Sequence, residues 1–250
     1  MVRTALKLRV TWSGYEAIDA HRQYIVLALH ESFVDVPLLA ALPLDLRFTA
    51  REELFANEDF GPLLRSSHHV SVPETRSPAS MRLLVARLRA AVDAGDSIVV
   101  FPQGSLLGVE VAFQPGAWRL ARMLALPVLP VAIAGTHAVW GHPFDNEVHL
   151  ARNVSVTVLP PIEPSDWSVD RTRATERLLK ESAIETGLVR RFDPRRDGWW
   201  DEYAFEIDPD FDALRRQIEV HRVLDQSEAV DRRSARENPR DMWVSQGFSS

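Results

Sequence analysis

The chain has 250 residues, 46% of them hydrophobic and 26% charged, which is the composition of a soluble globular protein long enough to bury a substantial core. It contains no cysteine, which excludes disulfides, thiolate catalysis and cysteine-ligated zinc and agrees with a reducing compartment. A formal net charge of −6 argues against a general nucleic-acid binder, and only Lys7 and Lys180 are lysines.

The opening "MVRTALKLRV" lacks the apolar core of a secretory signal. The longest nearly continuous apolar run, 123–134, holds two prolines and falls far short of the ~20 residues of a membrane span. The chain is therefore expected not to cross a bilayer, while attachment to a membrane surface stays compatible with it.

In chain order, "ALKLRVTW" alternates as a first strand and Ser13-Gly14 reads as a turn. "YIVLAL" is a short continuous apolar run, as in a buried sheet strand, and stops at His30. "FVDVPLLAAL" reads as a short helix with Pro37 in its first turn, "LRFTA" as a strand and "REELF" as the start of another helical piece. Pro78 to Ala94 is the clearest helix, because Met81, Leu84, Val85, Leu88 and Val92 share one face and Gly95 supplies a stop. "SIVVF" is a buried strand leading into the loop "PQGSLLGVEVAFQP", then "GAWRLARMLAL" is helical and "PVLPVAIAG" a strand; "SVTVLPPI" adds a late one. Arg171 to Thr186 and Asp212 to Val223 read as helices, separated by an aromatic and charged loop. The expected fold is a single α/β domain with a mainly parallel central sheet flanked by helices. Its core covers residues 1–165, a helical and irregular extension of the same domain covers 166–230, and 231–250 form a mobile tail.

His30 and Asp35 are five positions apart. On a continuous helix that offset would separate their side chains by about 140°. If His30 ends a strand and Asp35 opens a helix, the bend between them can bring the two together. The carboxylate would then accept from one imidazole nitrogen and leave the other as a base, at the strand end where open α/β sheets place ligands. Taken alone, the pair is better read as a packed or capping histidine and an aspartate favoured by a helix N-terminus, and a second block is needed.

The second block is "VVFPQGS", 99–105, where a buried strand runs into Pro-Gln-Gly-Ser and Gly104 lets the backbone approach a ligand or a developing oxyanion. Together the blocks resemble the glycerolipid acyltransferases of the lysophosphatidic-acid acyltransferase (PlsC-like) family. The His-x4-Asp box of that family matches His30 and Asp35. Its basic residue before Glu-Leu is similar to Arg51 in "AREELF", and "FGPLL" at 60–64 also fits. The Phe-Pro-Glu-Gly-Thr-Arg box resembles Phe101, Pro102, Gln103, Gly104, Ser105 and Leu106. The Phe-x-x-Gly-Ala box fits Phe113, Gly116 and Ala117, and the last box fits "LPVLPVAI" with Pro127 and Pro130. The order agrees over about residues 14–160.

The resemblance implies transfer of a fatty acyl group from an acyl-CoA or acyl-carrier-protein thioester to a hydroxyl of a lysophospholipid or other lipid acceptor, with no cofactor beyond that co-substrate. It makes His30 and Asp35 the catalytic pair. Arg51, Phe101, Pro102, Gln103, Gly104, Ser105 and Arg76 become substrate-binding residues. It places the protein in the cytoplasm, peripheral on the inner face of the membrane, and needs no nucleic acid. Two positions depart from the family box: Gln103 and Leu106 stand where the family has a glutamate and an arginine that help bind a glycerol phosphate. Leucine cannot pair with a phosphate, so either Arg51 and Arg76 compensate or the acceptor is a neutral hydroxylated lipid such as a glycolipid or terpenoid glycoside. A catalytically silent lipid-binding relative and an acyl-thioester hydrolase are the alternative readings.

Membrane contact is expected from Gly198-Trp199-Trp200 beside Arg190, Arg191, Arg195 and Arg196, or from Leu38 to Leu44. His68 and His69, and His137, His142 and His149, lack the spacing of a helical ligand pair, so no metal is expected.

Overall fold

The computed structural model describes residues 6–75, 77–141, 147–190 and 206–221. Seven strands form one sheet: β1 (Arg9–Ser13), β2 (Ile25–Ala28), β3 (Leu46–Arg51), β4 (Val70–Val72), β5 (Ser97–Val100), β6 (Val128–Ala134) and β7 (Asn153–Val158). Their order is β1-β7-β6-β2-β5-β3-β4; β6 and β7 run antiparallel and the other neighbours parallel. The helices are α1 (Asp35–Leu39), α2 (Glu52–Ala56), α3 (Gly61–Ser66), α4 (Pro78–Asp93), α5 (Gly116–Leu124), α6 (Val169–Ile184) and α7 (Phe211–His221). The expected mainly parallel α/β sheet is the architecture found.

The central strands read as unbroken apolar runs because both faces of the sheet are covered. Side chains alternate across a strand, so Ile25, Leu27 and Leu29 point to one face with Ile98, Val128 and Ala132. They pack there against Leu84 and Leu88 of α4, Ala117 and Ala121 of α5, Leu179 and Ala183 of α6 and Leu214 of α7. Tyr24, Val26 and Ala28 point to the other face with Val99, Leu129, Val131 and the inward side of β7, beneath Leu38 and Leu39 of α1. Fully burying one such aliphatic side chain is worth roughly 1.5–3 kcal/mol, so both cores contribute many times the net stability of a domain before chain entropy is subtracted.

α4 starts at Pro78, where the sequence reading put it, because Ser77 Oγ accepts the N–H of Ser80 at 3.1 Å. Other boundaries differ from that reading for local reasons. α6 begins before Arg171 because Ser168 Oγ accepts the N–H of Arg171 at 3.0 Å and caps the helix there. α3 and β4 are too short to show a period of their own. Leu38, Leu39 and Leu42 are buried in the core and Leu44 is partly buried against it, so most of this segment's leucines are turned away from a membrane. The end of the expected helix beyond His221, the Gly198-Trp199-Trp200 stretch and the 231–250 tail lie outside the described residues. Among the described residues, no helix is long and apolar enough to cross a membrane.

The topology also selects a place for a site. β2 and β5 are neighbours, but the chain leaves β2 toward β3 on one side and leaves β5 toward β6 on the other. A crevice at the carboxyl ends of the strands where connections diverge in this way is where open α/β sheets bind ligands. His30 follows β2 and Phe101 follows β5.

Candidate active site

β2 ends at Ala28 and α1 begins at Asp35, so the intervening loop reverses the chain. The side chains that a helix would hold apart therefore meet: His30 Nδ1 lies 2.7 Å from Asp35 Oδ2. The same oxygen accepts the backbone N–H of Glu31 at 2.8 Å and of Ser32 at 3.0 Å, while Asp35 returns its own N–H to the Ser32 carbonyl at 3.1 Å. Ser32 Oγ donates to the Trp140 carbonyl at 2.8 Å and accepts from Val34 N at 3.2 Å. The Asp35 carboxylate is thus held from three directions and its side chain is 0% exposed, whereas that of His30 keeps 13%. An ionised carboxylate at Nδ1 favours the tautomer that donates from that nitrogen, which leaves the lone pair on Nε2.

The parallel register brings the second block to the first. Leu27 of β2 is opposite Val100 of β5, so the residues immediately past both strands converge although they lie 73 apart in the chain. The Phe101 ring stacks on the His30 imidazole with centroids 3.7 Å apart and planes 12° from parallel. The chain then turns, with Gly104 at φ +66° and its N–H donated to the Phe101 carbonyl at 3.1 Å. That N–H closes the turn, so Gly104 contributes its backbone conformation here. Pro102 accepts at its carbonyl from Gln114 N at 2.7 Å, and Ser105 Oγ accepts from Leu107 N at 3.2 Å. Gln103 is 1% exposed; its Oε1 accepts the N–H of His30 at 2.8 Å and its Nε2 donates to the Gly108 carbonyl at 2.6 Å. Arg51, at the end of β3, donates through Nη2 to the Gly104 carbonyl, which places it at this turn. Arg76 lies outside the described residues.

Other side chains frame the site without having been singled out by the sequence. Glu31, buried beside His30, accepts at Oε2 from Gly135 N at 3.1 Å and faces His137 Nδ1 at 3.1 Å. Its Oε1 accepts from the N–H of Arg190 at 3.3 Å. Arg190 is buried, so this one of the arginines considered for a membrane interface belongs to the frame instead. Phe33 stacks with Phe60 at 5.3 Å and lies 5.5 Å from Trp140, giving the crevice an aromatic wall. The signal for it was Phe33 itself, an aromatic residue inside the His-x4-Asp box. Among the described residues no three metal-ligating side chains come together.

Comparison with known proteins gives concordant matches. The family model for Acyltransferase matches residues 9–134. A 1-acyl-sn-glycerol-3-phosphate acyltransferase of Limnanthes alba is 27% identical over 155 residues, 60% of this chain and 54% of that protein. One of Bacillus subtilis is 28% identical over 123 residues, 48% of this chain and 60% of that protein. The chain thus spans about half the length of the curated relatives it matches. The crystal structure of the 1-acyl-sn-glycerophosphate (LPA) acyltransferase, PlsC, from Thermotoga maritima superposes with a TM-score of 0.58 at 25% identity, over 72% of this chain and 74% of that one.

Proposed function

This chain belongs to the Acyltransferase family, and from that premise we propose that it moves a fatty acyl group from an acyl-CoA or acyl-carrier-protein thioester to a hydroxyl of a lipid presented at a membrane surface. The observation that carries the reading is the His30 imidazole, stacked on Phe101, bonded through Nδ1 to the buried Asp35 carboxylate and still partly exposed. In the proposed reaction His30 Nε2 takes the proton of the acceptor hydroxyl as its oxygen forms a bond to the thioester carbonyl carbon. Asp35 stabilises the imidazolium so formed. The carbon–sulfur bond then breaks, and the proton passes from Nε2 to the departing thiolate, which restores the base. General-base assistance of this kind is typically worth ~10²–10⁴ in rate.

At the acceptor end, Leu106 carries no charge and Arg51 engages the Gly104 carbonyl. We read the acceptor as a hydroxylated lipid whose phosphate, if it has one, is not gripped by residue 106.

The test is thiol release from a long-chain acyl-CoA, with and without a mixed lysolipid extract, for the wild type and His30→Ala. Release that requires both the extract and His30 is the expected result. Release that ignores the extract would make the protein a hydrolase. No release with either an acyl-CoA or an acyl-carrier-protein donor, while donor still binds, would make it a silent lipid-binding relative. Comparing a lysophosphatidic acid with its dephosphorylated counterpart then settles the acceptor: equal rates support the neutral lipid, and strict phosphate dependence removes it.

A further inference from the structure

Gln103 touches no reacting atom in this scheme, yet it is buried directly behind the base. Its amide bridges two main-chain groups from different loops, the N–H of His30 and the carbonyl of Gly108. One partner can only donate and the other can only accept. Turning the amide over would set N–H against N–H and oxygen against oxygen, so the bridge has a single orientation. Phe101, two residues earlier on the same turn, covers the face of the imidazole. The turn closed by the Gly104 N–H thus fixes the His30 main chain and its ring together, while Asp35 fixes Nδ1.

We propose that Gln103 is a positioning residue for His30, and that in this chain, where the Gly108 carbonyl faces the amide, the place requires a group that accepts and donates at once instead of the glutamate of the family box. The inference rests on His30 being the base. A carboxylate of the same shape would still accept from His30 but would set an oxygen against the Gly108 oxygen at hydrogen-bond distance, away from water. Only its protonated form can donate there. The charged and titratable groups next to the bridge are His30 and the buried Glu31 from the loop after β2, Asp35 at the start of α1 and Arg51 at the Gly104 carbonyl, with Glu110 two residues past Gly108 in the chain.

The experiment compares wild type, Gln103→Glu and Gln103→Met by kcat and KM across the pH range in which each stays folded. A second readout is the low-field NMR proton of His30 Nδ1–H, identified by its disappearance in Asp35→Asn. Gln103→Glu is expected to approach wild-type kcat at the acid end and to fall away from it as pH rises, with KM nearly unchanged. Gln103→Met is expected to lose kcat by on the order of 10²-fold at every pH, the scale of a small misplacement of a catalytic group, and to shift or broaden the low-field proton. A Glu-to-wild-type kcat ratio that is flat with pH, or a Met variant with wild-type kcat and an unmoved proton, overturns the proposal. If Gln103→Met fails to fold, the pH dependence of the Gln103→Glu ratio decides alone. Failure of acyl transfer in the wild type would instead count against the function, and the NMR comparison would still decide whether Gln103 holds His30.

Discussion

Two clusters of buried ionisable groups grip the two ends of the loop that runs from Phe101 to Pro115. At its start, His30 and Asp35 sit with Gln103 at the carboxyl edge of the sheet. At its far end, the Lys180 ammonium, 0% exposed, donates to Glu176 Oε1 at 2.7 Å and to Asp208 Oδ2 and lies 5.1 Å from the Phe113 ring centroid. Glu176 Oε1 also accepts the N–H of Phe113 at 2.8 Å. The first cluster leaves one nitrogen of a partly exposed ring without a protein partner among the described residues. In the second, the ammonium is enclosed by carboxylates and a ring. The difference separates uses of buried charge: a group meant to exchange a proton keeps one vertex open, and a group meant to hold chains together is closed on all sides.

The comparison can be broken most sharply at Asp35. Asp35→Asn removes the charge that stabilises the imidazolium, so kcat is expected to fall by ~10²–10⁴ while circular dichroism and the thermal midpoint change little. A variant that unfolds without a selective loss of turnover would put Asp35 in the structural class. Lys180→Met should behave oppositely, because it leaves the largely buried Asp208 carboxylate and the partly exposed Glu176 carboxylate without their cation, at a cost approaching the ~3–5 kcal/mol of a broken buried pair, a large share of a domain's stability. Chemical denaturation reads that loss, and kcat per folded molecule should stay within about an order of magnitude. Adding Asp208→Asn should recover part of it; a double variant no more stable than the single one would show that the pairing is not what holds the segment.

The smallest effect is expected at His69, a ring of a third kind. Burial first, and the nearby Arg47 guanidinium second, push its pKa below the ordinary 6.5. Its Nδ1 accepts from Phe48 N at 3.4 Å, which also requires the neutral ring. The unfolded chain therefore binds this proton more readily than the folded one. The contribution is complete above 6.5 and is lost as pH falls from there through the lowered folded value. His69→Gln should flatten that limb of a midpoint-against-pH curve; an identical slope in the variant would show that His69 does not cause it.

Much of this molecule is written locally in its sequence. β2 and β5 declare themselves as apolar runs, α4 by its spacing and Gly95, and the His30–Asp35 bend by five residues of chain. These features depend on near neighbours, and periodicity and turn chemistry are near-neighbour signals. What could not be read is which side of a turn each polar group faces. Gln103 looked like a ligand contact because its motif borders the site, yet its amide points inward because Gly108 and His30 present matching backbone groups there. Glu31 and His137, 106 residues apart, and Lys180 and Asp208, 28 apart, meet only once the sheet and helices have been assembled. No pattern in one dimension marks such pairs in advance.

The segment joining Asp208 to the active-site loop reaches beyond the lysine. Asp208 N donates to the Glu110 carbonyl at 2.8 Å, Ala112 N donates to the Glu206 carbonyl at 2.7 Å, and Val111 and Ile207 form an antiparallel bridge. The family match ends at residue 134, so this bracing of the loop comes from sequence outside it. In a chimera made by splicing the C-terminal part of one relative onto the motif-bearing part of another, residues 108–113 and 206–208 would have to travel as a set. A junction drawn at the edge of the family match would part the loop from its brace.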